Sequence, residues 1–363
     1  MRISLLAMAV LMLSTACAGT ASQAEDALYE DAATEDASDT GAGDIVAIEE
    51  ISPLDAADGG GSDILPMDAP SADTSVADIA PELDTVADGE DSGAEVDDPG
   101  PPLTCNGAEA LCGRRFDEVA YVTAHNAMSN REEGWGAPNQ EESIPAQLAS
   151  GVRGLMLDTH EWPEAPYPEE PYLCHGFCLL GNELLVDGLA KIERFLRRNR
   201  GEVVTIIFEN YVTAEAIAAA FEESDLLRYA YAHDRDTPWP TLREMIDRDE
   251  RLVVFTDRHG GAYPWFMDVW QHAFETHWSA ATLDDLSCHR NRGRAGNALF
   301  ILNHFLTNPV ALPTLAAQAN DVEILLPRAL ECMEHHEQIP NFVTVDFTSI
   351  GDVFAVVDAL NGL

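Results

Sequence analysis

Glu202-Val203-Val204-Thr205-Ile206-Ile207-Phe208-Glu209-Asn210-Tyr211 is the stretch on which the fold turns. Its apolar run, Val203 to Phe208, lacks the in-and-out alternation of a sheet with one wet face, so it reads as a strand covered on both sides. The run stops at a carboxylate, Glu209. Just upstream, Leu184, Leu185, Leu189, Ile192, Phe195 and Leu196 recur at helical spacing, with Lys191, Glu193, Arg194, Arg197 and Arg198 between them. Arg200-Gly201 then ends that helix. Helix followed by buried strand is therefore the local unit.

The unit repeats in both directions. Val119 to Thr123, Leu155 to Leu157, Leu252 to Phe255, Ala298 to Leu302 and Phe342 to Val345 are further short apolar runs separated by amphipathic stretches. Such repetition over about 250 residues predicts a TIM-type (β/α)8 barrel, regular or distorted, with a doubly wound open sheet as the alternative. Polar residues stand repeatedly at the carboxyl ends of these runs: His125-Asn126, Asp158, Glu209, Asp257, Asn303 and Asp346. In a barrel those ends converge on one mouth, where barrel active sites are built. Capping is the rival explanation for Asp and Asn at strand ends.

The rest of the chain does not read as part of that barrel. The 363 residues carry 64 acids against 20 bases, a formal charge of -44, which excludes a basic nucleic-acid binder. Residues 18–100 alone hold 24 Asp and Glu and no Lys or Arg. Together with Ala, Gly, Ser, Thr and Pro, this composition predicts a disordered acidic linker over 18–102. Residues 1–17 have Arg2, an apolar stretch from Ile3 to Leu13 and a small-residue end, Ser14-Thr15-Ala16-Cys17, as an export signal does. Eleven apolar-rich positions are too few to span a bilayer. Either simple signal cleavage or a lipoprotein signal, with Cys17 lipidated as a membrane tether, fits this end; both take the mature protein out of the cytoplasm. The folded domain is then 103–363, expected as a monomer.

Setting Cys17 aside leaves six cysteines, an even number that suits disulfides in an exported chain. Six allow fifteen pairings. The short separations favour Cys105 with Cys112 and Cys174 with Cys178, leaving Cys288 with Cys332. No paired Cys-x-x-Cys units support zinc.

Two histidines stand out from the other nine: His125 in Thr123-Ala124-His125-Asn126, and His175 in Leu173-Cys174-His175-Gly176. A pair of imidazoles suits phosphodiester cleavage, one taking a proton from the attacking hydroxyl and one donating to the leaving oxygen. Asn126, Asp158 and Glu209 are oxygen donors at successive strand ends, the kind of set a hard cation such as Ca2+ prefers. Asp257, Asn303 and Asp346 are candidates for binding the substrate's head group, as is His304. Trp135, Tyr167, Trp265 and Trp270 are candidates for the rim, with core packing as the plain alternative.

Ala124-His125-Asn126, Asn139-Gln140-Glu141, Gln147-Leu148, Gly151-Val152-Arg153-Gly154-Leu155-Met156-Leu157-Asp158-Thr159, Leu173-Cys174-His175 and the Glu202–Tyr211 stretch together resemble the X domain of phosphatidylinositol-specific phospholipase C. The similarity is nearest to its secreted, PLC-like phosphodiesterases. Asn341 to Phe347 and Val357 to Gly362 extend it, so that it covers about residues 116–363. The resemblance implies a phosphoric diester hydrolase in which His125 and His175 are the acid-base pair and Asn126, Asp158 and Glu209 are calcium ligands. It further implies that a lipid inositol's 2-hydroxyl attacks phosphorus and leaves a cyclic phosphate, which water opens. His175 would protonate the leaving oxygen, while His125 would contact the phosphate and share in proton transfer. One position departs from the pattern: Met156 stands where the calcium-dependent members carry an acid. The metal site is then reduced to three protein ligands, or another acid such as Glu161 fills in. The metal-independent bacterial members carry an arginine on the second strand, where this chain has Asp158; Arg153 lies earlier and is expected to support the barrel. A glycerophosphodiester or sphingomyelin-type hydrolase, and a non-catalytic surface barrel binding phosphorylated ligands or glycans, are the competing readings. The acidic linker would be repelled by anionic membranes, so the phosphodiester need not be a phosphoinositide.

Overall fold

The computed structural model describes residues 104–363. The expected export signal, Cys17 and the acidic linker lie outside the described residues. Among the described residues eleven strands make one sheet: β1 (Tyr121–Ala124), β2 (Gly154–His160), β3 (Tyr172–Leu173), β4 (Glu183–Leu184), β5 (Val204–Asn210), β6 (Ala230–Tyr231), β7 (Leu252–Thr256), β8 (Phe266–Asp268), β9 (Ala273–Glu275), β10 (Leu299–Asn303) and β11 (Phe342–Val345). Their order is β6-β7-β5-β2-β1-β11-β10-β9, with every ladder along this path parallel. β8 continues on β7 where β6 stops, also in parallel. β3 and β4 add an antiparallel flap to the end of β2.

The helices are α1 (Ile144–Ser150), α2 (Leu185–Arg198), α3 (Ala214–Glu223), α4 (Leu242–Asp247), α5 (Val269–His272), α6 (Pro313–Ala319), α7 (Val322–His336) and α8 (Val353–Asn361). α2 closely matches the helix predicted from the apolar spacing, ending at the Asn199 C-cap just before Arg200-Gly201. Side chains alternate between two cores, as the period of a strand requires. Tyr121, Ile207, Phe255, Met267, Ala273, Ile301 and Phe342 form one buried cluster inside the curled sheet. Val122, Leu155, Ile206, Val254 and Val343 point outward, onto Leu148, Leu189, Ile217 and Val356 of the helices. Both faces of the strands are thus dry, which accounts for the unbroken apolar runs.

The inner faces of this curled parallel sheet meet in one core, and the predicted TIM-type fold forms as a half-barrel. Its distortion is local: among the described residues no ladder joins β8 to β9, and the four-residue α5 carries the chain between them. The three disulfides pair as expected: Cys105–Cys112, Cys174–Cys178 and Cys288–Cys332.

The join between β1 and β2 fixes where the site residues fall. Thr123 pairs with Gly154 there, and a Cβ on Gly154 would lie 2.3 Å from Thr123 Oγ1 and 2.8 Å from its Cγ2. Thr123 is β-branched and fully buried, so it has little freedom to turn away. Gly154→Ala is expected to cost about 1–3 kcal/mol through overpacking. Thermal unfolding would show this as a midpoint several degrees lower; an unchanged midpoint would mean that the two strands can separate freely. Arg153, beside this glycine, holds the barrel's lower edge as expected: its Nε lies 2.7 Å from Glu202 Oε2, and its NH1 donates to the Leu148 and Val152 carbonyls.

Candidate active site

β1 ends in a left-handed turn at Asn126 (φ 46°), a conformation that Asn tolerates better than most side chains. His125 is held at this corner by its own backbone. Its N–H donates to Val345 O at 3.0 Å, and its carbonyl accepts from Gln140 Nε2 at 2.7 Å. Its ring stacks on Phe305 with centroids 3.8 Å apart. Nδ1 lies 2.8 Å from Asp346 Oδ1. A carboxylate oxygen accepts, so Nδ1 is the ring atom that donates to Asp346. Asp346 is buried just beyond the end of β11, and its Oδ1 also accepts from Asn139 Nδ2 at 2.9 Å. Asp346 therefore stands behind His125 and does not line the cavity.

That cavity, of about 430 Å³, opens at the carboxyl ends of the strands. His125, Asn126, Met156, Asp158, Glu209, Asp257 and Asn303 all border it. His175 is not on its wall. It sits on the loop after β3, next to the cavity, with Nε2 3.3 Å from Asn126 Nδ2. His175 is exposed on this loop; partial desolvation and then the neighbouring His125 lower its pKa below the usual imidazole value, with Asp346 and Glu209 pulling the other way.

The acids of the mouth disfavour one another's ionisation. Asp158, facing inward two residues after Met156, is pushed well above the usual carboxylate range by burial and then by Glu209 and Asp257. Burial also raises Asp257, although the backbone N–H of Asn210 donates to its Oδ1 at 2.9 Å and Arg258 lies close by. Glu209 accepts from the Tyr211 hydroxyl. Arg258 lies over the Tyr211 ring at 4.2 Å.

Several residues of this cavity carry no signal in the sequence pattern. Glu275 closes the opposite wall from the end of β9. Arg292 Nε lies 2.5 Å from its Oε1, and Asn303 Nδ2 donates to its Oε2 at 2.9 Å. Asn303 thus touches the cavity chiefly by orienting Glu275. Arg292 also covers Trp270 at 4.3 Å, and Trp278 and Phe305 complete an aromatic side. Other candidates lie elsewhere. His304 points away from the mouth: its Nε2 donates to Ala319 O at 2.7 Å and its Nδ1 accepts from Arg328 at 2.9 Å, fixing a neutral buried ring. Trp135 is buried against Gly181, and Trp265 packs on Phe221. Of the four aromatics, Trp270 borders the cavity and Tyr167 is exposed.

The mouth thus holds His125 with its Asp346 support and the carboxyls of Asp158, Glu209 and Asp257, with His175 on the loop beside it. The chain belongs to the PI-PLC X family, whose model matches residues 111–361. It is 28% identical over 280 residues to a PI-PLC X domain-containing protein of Arabidopsis thaliana, covering 69% of this chain and 63% of that relative. It is 29% identical over 290 residues to an uncharacterized secreted protein of Arthroderma benhamiae, covering 71% of this chain and 64% of that one. The chain therefore spans somewhat under two thirds of these two relatives' length. A solved phosphatidylinositol-specific phospholipase C of Staphylococcus aureus aligns with TM-score 0.48 and 14% identity, covering 69% of this chain and 95% of that one.

Proposed function

We propose that the protein is an exported phosphoric diester hydrolase that cleaves a phosphodiester carrying a neighbouring hydroxyl, of the kind found in inositol phospholipids. The observation that supports this most strongly is the hydrogen-bonded support of the two imidazoles: Asp346 and Asn139 behind His125, and Asn126, the residue after His125, against His175 Nε2. His125, with Nδ1–H held by Asp346, has Nε2 available to take the proton of the attacking hydroxyl. The hydroxyl oxygen bonds to phosphorus, the bond from phosphorus to the leaving alcohol breaks, and His175 gives that alcohol its proton. The product is a cyclic phosphate, which water opens with the two imidazoles in reversed roles. The pKa of His175 is lowered in the free protein, and an anionic phosphodiester beside it would favour the protonated form that the acid role needs.

The donors present suit a calcium ion. The Asp158 carboxyl borders the cavity with no protein hydrogen-bond donor among the described residues, and Asn126 keeps its carbonyl oxygen free of His175. Among the described residues no group of three His, Cys, Asp or Glu side chains is placed to hold a metal ion, so a calcium site here would have to draw on the Asn126 amide beside Asp158 and Glu209. Bound there, Ca2+ would offset phosphate charge and lower the pKa of a coordinated hydroxyl. Three disulfides and a secreted relative support export, by simple cleavage of residues 1–17 or by lipidation at Cys17.

The test is a panel of phosphodiesters with and without calcium. Phosphatidylinositol should yield diacylglycerol and cyclic inositol phosphate, with loss of activity in a calcium chelator. Inactivity of the folded, calcium-supplied protein on every member would favour a non-catalytic binding barrel, the reading for which Met156 speaks.

A further inference from the structure

We propose that the Cys174–Cys178 disulfide is the positioning device for His175, and that it ties activity to the oxidised state of this one loop; the proposal rests on the catalytic reading of His175 given above. The loop begins firmly. Cys174 is fully buried, and its N–H donates to Asp158 O at 3.2 Å, so it is pinned to β2 beside the cavity acids. His175 follows directly, Gly176 takes a left-handed turn (φ 68°), and the chain closes on Cys178 four residues after Cys174.

Packing does little to hold what lies between. Phe177, the one large apolar side chain between the cysteines, is 77% exposed and buries little surface. A loop without buried apolar contacts opens at low free-energy cost. The polar contact on the imidazole, Asn126 at 3.3 Å, is a single weak one. The covalent ring closes the loop around His175, helped by the turn bonds from Phe177 N–H to His175 O at 2.9 Å and from Leu180 N–H to Phe177 O at 2.8 Å, and it anchors both ends of the loop in the cluster with Trp162, Tyr172 and Leu184. The other two disulfides lie far from this loop. Cys105–Cys112 packs in the inner core near Phe116, and Cys288–Cys332 lies against Phe274 and Phe300 on the outer face.

Cys178 is partly exposed, which gives a dithiol reductant access to the bond. The reductant's two thiols become a disulfide, the Cys174–Cys178 bond breaks, and each protein sulfur leaves as a thiol with one hydrogen. The barrel itself loses no core contact in this exchange.

The test compares the full chain with its Cys174→Ser/Cys178→Ser double variant and with Cys105→Ser/Cys112→Ser as control. The loop variant should lose at least tenfold in kcat with KM within twofold and a thermal midpoint within a few degrees. The NMR signal of its His175 ring should broaden or split as the loop samples several positions. Mild dithiol treatment of the wild type should reproduce the loss, and reoxidation should restore the rate. An unchanged kcat in the loop variant, or an equal loss in the control, would overturn the proposal. If the wild-type protein turns over no phosphodiester at all, the ring signal still decides: an unchanged His175 resonance after reduction rejects the positioning role, and a broadened one upholds it.

Discussion

Turnover of the His125→Ala variant is expected to fall by about 10²–10⁴ relative to the wild-type chain, the range that a positioned general base contributes. The ring is fixed from three sides, by Asp346 at Nδ1, by Phe305 against its face and by Val345 and Gln140 at its backbone. Removing it leaves the cavity wall with oxygen donors but no imidazole. Asp346→Asn separates geometry from charge. The amide keeps the shape of the carboxylate, yet it no longer stabilises the imidazolium formed once His125 has taken the proton. A loss of about 10–10² in kcat is expected for that variant alone, with little change in KM. Initial rates on phosphatidylinositol vesicles, with folding checked by thermal unfolding, measure both. Wild-type rates in His125→Ala would remove this imidazole from the chemistry and with it the proposed mechanism.

The fold was readable because its strands are buried on both faces. Val203 to Phe208 and Phe342 to Val345 leave no residue facing water, and such runs separate cleanly from the amphipathic α2. β8 and β9 are illegible for the opposite reason: each has three residues, too few for any periodicity to register. Glu275 is hidden with β9, and Arg292 with the irregular segment that follows it. The strand-end rule finds His125, Asp158, Glu209 and Asp257, yet it cannot say which end residues face the mouth. That depends on the parity of each strand's last position. Asn303 and His304 are adjacent, and the alternation sends one toward Glu275 and the other outward to Arg328. Asp346 has the right parity but is covered by His125, a contact between residues 221 apart in sequence that no local pattern encodes.

The same alternation gives the second large effect. Met156 lies two residues before Asp158 on β2, facing the same cavity, with Ile207 opposite it and Glu209 opposite Asp158. A carboxylate at 156 would therefore enter the wall that already holds Asp158 and Glu209. Calcium affinity rises with the number of charged oxygen ligands, and a thioether supplies none. Met156→Glu is expected to lower the calcium concentration for half-maximal activity by at least tenfold, about 1.4 kcal/mol. The two arms of the measurement carry opposite signs. Without calcium, a further acid beside a crowded Asp158 adds like-charge repulsion, so the thermal midpoint should fall below that of the wild type. With calcium in excess, binding to the folded state alone raises the midpoint by mass action, and the variant should gain more than the wild type does. Met156→Gln supplies the length of Glu without its charge and should show neither the fall nor the larger gain. If Met156→Glu and Met156→Gln respond equally to calcium, the ion does not bind beside Asp158. The cavity acids would then have to be assigned to the substrate's hydroxyls.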